Sequence, residues 1–154
     1  MTSWAIACTA RYRYREEMTD ELPPIAILLK EARGAYGAAI HREVASRGLD
    51  PLPPQGAFVV AALHYEQPLE NILRERGRAM ERAQTLAHLR ETGYIVDDAG
   101  GLHLTEKGHE CAHAVADATS NLTRTVVETV GPDGFESFVA ALLALVENKE
   151  SGES

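Results

Sequence analysis

The chain has 154 residues, 45% of them hydrophobic and 25% charged, which are the proportions of an ordinary globular domain. Its formal net charge of −8 excludes a protein that binds nucleic acid over its whole surface. Two cysteines, Cys8 and Cys111, are too few for a disulfide framework, and no unbroken apolar run approaches the roughly 20 residues of a membrane helix. We therefore expect a cytoplasmic protein that does not enter a membrane.

Periodicity and breaking residues predict one domain between two polar ends. Residues 1–21 are expected to form a flexible arm, because their basic and aromatic stretch has no clear apolar face. The domain covers 22–147, and its first helix, about 24–47, shows apolar residues at spacings of three and four. A proline-rich connection leads to a second helix at about 54–64, and residues 148–154 are expected to form a flexible tail.

Two short helices with Gly77 near their junction predict a helix-turn-helix motif. The second of them, about 78–92, is the candidate recognition helix. The surrounding segment 74–90 holds five arginines against two glutamates, so a basic element lies on an acidic chain. The outward face of this helix is predicted to carry Arg78, Arg82, Gln84, Thr85 and His88. The inward face is predicted to carry Met80, Ala83, Leu86, Ala87 and Leu89.

A β-hairpin at about 94–104 is predicted to follow the recognition helix, with its turn at 97–101, where two glycines permit positive φ. A hairpin in this position is a wing. Two further helices are expected at about 106–129 and 133–147, and the Gly131-Pro132 pair separates them. The last helix carries more apolar side chains than its own core needs, which favours pairing with a second copy.

Four segments resemble the MarR family of bacterial regulators: Pro53–Gly56, Leu69–Gly77, Leu86–Tyr94 and Leu104–Gly108. The resemblance implies a mainly α fold with a small two-stranded β-wing, a winged helix-turn-helix dimerised through its N- and C-terminal helices. It also implies a non-enzymatic, cofactor-free homodimer that regulates transcription by binding double-stranded DNA at a near-palindromic operator. Many members release DNA when a small-molecule effector, an oxidant or a metal binds.

For this chain the expected DNA contacts are Arg78, Arg82, Gln84, Thr85 and His88, since Arg and Gln side chains pair with base edges in the major groove. The wing departs from the family pattern, because its turn contains Asp97 and Asp98 and no basic residue. Carboxylates repel phosphates. This departure supports an alternative function: a dimeric interaction or ligand-sensing module that has lost DNA binding.

Residues His109 to His113 match H-E-x-x-H, a zinc-protease pattern in which two histidines one helical turn apart bind the metal. A helical wheel places both histidines opposite the apolar stripe that contains Cys111, so we predict that they face solvent and hold no catalytic metal. A regulatory metal site at these two histidines stays open, joined by His41 only if the fold brings it near. Cys111 is expected to be a core residue, with a redox sensor as the alternative.

Overall fold

The computed structural model describes residues 25–69 and 79–151, and the chain divides into two units, Met1–Ala35 and Tyr36–Ser154. The predicted arm at 1–21, most of the first helix of the predicted motif (70–77) and the last three residues of the predicted tail lie outside the described residues. In the first unit the described residues are helical, and four large apolar side chains are exposed. They are Ile25, Ile27, Leu28 and Leu29.

Three helices come before the wing in the described chain: α1 (Ile25–Ser46), α2 (Gly56–His64) and α3 (Ala79–Glu91). Helix α3 corresponds to the predicted recognition helix. It ends because Gly93 adopts a positive φ of 77°, which lets the Tyr94 N–H donate to the Leu89 carbonyl at 2.9 Å. The first strand of the wing begins two residues after this glycine, at Ile95.

The wing consists of β1 (Ile95–Asp98) and β2 (Gly101–Leu104), which pair antiparallel from Ile95↔Leu104 to Asp98↔Gly101. The strands are longer than predicted, and only Ala99 and Gly100 remain as the turn. The reason is local: the Asp98 carboxylate accepts a hydrogen bond from the Gly100 N–H at 2.7 Å and so closes a two-residue turn.

Helix α4 (Glu106–Ser151) is interrupted at Gly131, whose φ of 75° and ψ of 168° are not helical, and Pro132 follows. The break that was predicted at Gly131-Pro132, between two C-terminal helices, is therefore confirmed. The second part of the helix continues to Ser151, so the predicted tail at 148–154 begins inside a helix.

The core of the second unit combines residues from α1, α2, α3, the wing and α4. Its buried members are Val44, Leu52, Val59, Val60, Leu89, Tyr94, Ile95, Cys111, Ala112, Ala114 and Val115. Polar contacts hold α1 to α4 beside this core: Arg47 donates to Asp117 at 2.5 Å and to Glu43 at 2.8 Å. The described chain is thus mainly α-helical with one small two-stranded sheet, which confirms the predicted mainly α fold with a two-stranded β-wing.

The start of α4 is attached to the wing through the Leu104–Gly108 segment. The Thr105 hydroxyl accepts from the Gly108 N–H at 3.0 Å, which caps the helix, and the Thr105 N–H donates to the Tyr94 carbonyl at 3.0 Å. A Cβ placed on Gly108 would lie 2.1 Å from that same Tyr94 oxygen. Residue 108 must therefore be glycine, because no larger residue lets the carbonyl approach the helix so closely.

We expect Gly108→Ala to lower the free energy of unfolding by about 2 kcal/mol, because the new methyl group must displace backbone rather than a flexible side chain. Chemical denaturation followed by circular dichroism measures the change. Gly37→Ala is the matched control: a Cβ at Gly37 meets nothing within 4 Å, and alanine favours the helix by up to about 1 kcal/mol. Equal denaturation midpoints for the two variants would contradict this account of Gly108.

Candidate nucleic-acid interface

Helix α3 packs against the core through Thr85 and Leu89, which are 5% and 0% exposed. The Thr85 hydroxyl donates to the Pro54 carbonyl at 2.9 Å and so ties α3 to the segment before α2. This corrects the expected orientation of the helix at one position. Thr85 was placed on the outward face by its polarity, but a buried hydroxyl with a backbone partner is not available to a base edge.

The outward face of α3 also differs from the predicted one, because Met80, Ala83 and Ala87 are exposed rather than inward. Met80 is 75% exposed. Residues 85 and 89, one turn apart, define the inward face, and a helix cannot bury residues 80, 83 and 87 on that same side. Alanine and methionine were read as core residues on hydrophobicity alone.

Of the five predicted contact residues, the structure exposes Gln84 and His88 together. They lie one helical turn apart on the outward face of α3, and both side chains are exposed. Arg82 is half-buried and already interacts with another residue. Arg78 lies outside the described residues. The exposed pair Gln84 and His88, flanked by small Ala83 and Ala87, is the part of the predicted site that the structure brings together.

Each of the two aspartates of the wing, Asp97 and Asp98, lies beside a basic side chain. Arg90, at the end of α3, donates through Nε to Asp97 at 2.5 Å. Asp98 lies 3.2 Å from His103 Nε2 on the opposite strand. The hydrogen bond from Arg90 holds the pKa of the Asp97 carboxyl below its ordinary value, so Asp97 stays ionised and paired. Part of the negative charge that the sequence placed on the wing is therefore neutralised by the protein itself.

Arg90 was counted among the basic residues of the sequence but was not predicted to be part of the site. Its exposed guanidinium links α3 to the first strand of the wing. The signal was present in the sequence, since Arg90 and Asp97 flank the Gly93 turn at which the chain reverses. The contact could not be predicted from sequence because it depends on this turn placing α3 and β1 side by side.

The junction behind the wing is anchored by Tyr94, Asp50 and Lys107. Tyr94 is fully buried, and its hydroxyl donates to the Asp50 carbonyl. Lys107 pairs with the Asp50 carboxylate, donates to the Thr92 carbonyl at 2.6 Å and lies 5.0 Å from the Tyr94 ring centre. Burial is the main reason that the pKa of Tyr94 is raised far above its ordinary value, so the hydroxyl stays a donor.

Cys111 lies in the core beside this junction and is fully buried. Burial raises the pKa of its thiol to about 11. A thiol with that pKa carries almost no thiolate at neutral pH, and thiolate is the reactive form. The geometry therefore favours the core role expected for Cys111 over the redox-sensing alternative.

Comparison with known proteins supports a helix-turn-helix fold for this chain. The sequence model of a family described as a helix-turn-helix family matches residues 6–151, nearly the whole chain. No curated protein matches the sequence.

The Arg90–Asp97 pair predicts a measurable titration. In carboxyl-detected NMR, Arg90→Gln should move the pKa of Asp97 up towards its ordinary value near 3.8. Since the pKa is depressed in the folded chain, the stabilising effect of the pair is present above the unfolded pKa and is lost as pH falls through the folded value. The control is Arg124→Gln, which removes an exposed arginine of α4 that bonds Asn121 instead. An Asp97 pKa that is the same in all three proteins would refute the pairing.

Proposed function

Because this chain belongs to a helix-turn-helix family, we propose that it is a transcriptional regulator that binds double-stranded DNA through α3 and the wing. The observation that carries this proposal is the outward face of α3. It presents Gln84 and His88 beside a wing that Arg90 attaches to the same helix. The proposal assigns the chain no catalytic role.

Helix α3 has the side chains that reading the major groove requires. Gln84 is suited to a two-point contact with the N6 and N7 atoms of adenine, and His88 to a donor or acceptor contact one turn further on. Ala83 and Ala87 let the helix approach the bases closely, and their methyl groups fit against thymine. Arg78, at the start of the predicted recognition helix, is proposed to contact phosphate or guanine. Arg82 is proposed for a phosphate contact from its half-buried position.

A net charge of −8 is compatible with this function if the basic groups are concentrated at the contact surface. The wing bears on this requirement directly, since in a winged-helix complex it lies close to the DNA backbone, where carboxylates repel phosphate. With Asp97 paired to Arg90, the repulsion expected from an acidic wing is reduced. Binding should weaken as salt rises, with a modest slope, because the slope grows with the number of phosphates that basic groups neutralise and few positive charges are available here.

The apolar stripe of α4 supports the homodimer. Its members pass from buried to exposed along the helix: Cys111, Val115 and Ala118 are 0%, 6% and 5% exposed. After the break at Gly131, the helix continues an apolar face whose members are Phe135, Phe138, Val139, Leu142, Leu143 and Val146. Val146 is 59% exposed. The chain's own core therefore covers only the first part of the stripe, and a second copy is proposed to cover the rest.

A membrane is the other apolar environment to consider, since an 18-residue window of α4 is apolar enough to span one by length and composition. The segment after the break does not have a spanning helix's surface. Polar residues bound the apolar run 138–146 at Ser137 and Glu147, so this run has nine residues, about half of what a spanning helix needs, and its large side chains lie on one side with Ala140 and Ala144 opposite. One-sided apolar surface fits a partner helix, and the symmetric partner is another copy of this chain. In such a MarR-like cytoplasmic dimer, an effector that changed the spacing of the two α3 helices would regulate operator binding.

The proposed function is tested by fluorescence anisotropy of the purified protein against DNA fragments from around its own gene, at two salt concentrations. We expect selective binding that weakens as salt rises. Gln84→Ala should reduce affinity for the selected fragment about tenfold, which corresponds to about 1.4 kcal/mol for one two-point base contact.

The matched control for this experiment is Arg124→Ala on α4, which removes a positive charge away from α3 and should leave affinity within twofold. Absence of selective binding at low salt by the folded wild-type protein would contradict DNA regulation. That result would favour the interaction or ligand-sensing module. Equal losses in Gln84→Ala and Arg124→Ala would refute the assignment of α3 as the reading helix.

The dimer makes a separate prediction. Val139→Glu combined with Val146→Glu places two charges on the apolar face and should convert the protein to single chains of 16.8 kDa in sedimentation velocity. Ala140→Glu combined with Ala144→Glu adds the same two charges to the opposite, exposed face and should leave a dimer. A wild-type protein that sediments as single chains at micromolar concentration would contradict the proposed dimer.

A further inference from the structure

Three of the six histidines of this chain come together outside the candidate DNA interface. His64 is the last residue of α2, and His109 and His113 lie on successive turns at the start of α4. The His64 ring centre is 5.5 Å from that of His109 and 5.0 Å from that of His113. His64 is half-buried, while His109 and His113 are exposed. All six histidines lie within the described ranges, so the grouping is complete.

The closest approach in this cluster has the dimensions of a metal site. The Nδ1 atoms of His64 and His109 are 3.2 Å apart. Two nitrogens bound to one tetrahedral metal at about 2.0–2.1 Å lie about 3.3 Å from each other. Without metal, one ring must donate a hydrogen to the other, and with metal both nitrogens become ligands. The third ring, His113, lies one turn from His109 on the same helix face, which is the spacing that lets two histidines share a metal.

As they stand in the described ranges, no three His, Cys, Asp or Glu side chains are placed so that they could hold a metal ion. Only a rotation of the His113 side chain separates the observed cluster from a three-histidine site. The His64 and His113 rings meet edge to face at 74°, and His113 is exposed, so rotation of its side chain towards the His64–His109 pair is unhindered by core packing. Exposed side chains change rotamer within nanoseconds, and metal binding would select the converging arrangement.

We propose that His64, His109 and His113 form a binding site for a divalent transition metal, with Zn²⁺ as the best match. Imidazole nitrogens are ligands that suit Zn²⁺, Ni²⁺ and Cu²⁺. A water completes the coordination, because the exposed side of the cluster is open to solvent. The site uses His64, which the H-E-x-x-H pattern could not indicate, and it makes no use of His41.

A metal at this position cross-links the end of α2 to the first turns of α4. Helix α2 is followed by residues 65–69 and then by the segment that the sequence assigns to the first helix of the motif. The metal would therefore restrain the point at which the chain leaves the core for the DNA-binding motif. The site itself is independent of the proposed DNA binding, and the test below contains no DNA, so failure of one proposal is distinguishable from failure of the other.

The test is isothermal titration of ZnCl₂ into the full-length protein after removal of metal with a chelator. We expect one Zn²⁺ per chain and a rise in the melting temperature on binding. His64→Gln, His109→Gln and His113→Gln should each lower the affinity at least tenfold. With Co²⁺ as a spectroscopic probe, the visible bands of tetrahedral coordination should appear in the wild-type protein and disappear in each variant.

The matched control is His41→Gln, which removes an exposed histidine of α1 and should leave the affinity for Zn²⁺ unchanged. Circular dichroism of each variant before titration establishes that it is folded. Three outcomes would overturn the proposal: no binding at micromolar Zn²⁺, affinity that falls equally in His41→Gln, or a site that survives the loss of His64. The last result would leave only the paired histidines of α4, which were predictable from sequence.

Discussion

The Tyr94 carbonyl is the point at which α3, the wing and the long C-terminal helix α4 meet. It accepts a hydrogen bond from the Thr105 N–H and lies so close to Gly108 that no side chain fits between them. On the other side of the same residue, the Tyr94 N–H ends α3 and its buried ring occupies the core. One tightly packed backbone segment therefore sets the direction of α3, the start of β1 and the start of α4 together.

Rigid placement of α3 and the wing matters because their charges act as a pair. Arg90 and Asp97 are both about half exposed, so their ion pair contributes little to stability. Its effect is on the surface potential: a carboxylate that faces an arginine repels phosphate less than an isolated one. An acidic protein can then present a DNA-binding surface, provided that the junction at Tyr94 holds the two elements side by side.

The order of elements could be predicted because helix periodicity, Gly93, the turn at 97–101 and the Gly131-Pro132 pair each act locally. The inward face of α3 could not, because hydrophobicity ranked Met80 above Thr85, whereas the decisive contact is a hydrogen bond from Thr85 to Pro54, 31 positions away. The histidine cluster shows the same limit. His109 and His113 share a helix and are visible as a motif, but only the packing of α2 on α4 brings His64 to them.

The central claim, that α3 and the wing together form the DNA-binding surface, is tested most directly by amide NMR of the full-length protein with and without a selected DNA fragment. The account predicts that chemical-shift changes concentrate in Ala79–Glu91 and Ile95–Leu104, while the amides of residues 133–148 keep their positions. Shifts confined to α4, or no shifts in α3 at saturating DNA, would contradict it. Changes in α3 without changes in the wing would show that the two elements do not act together.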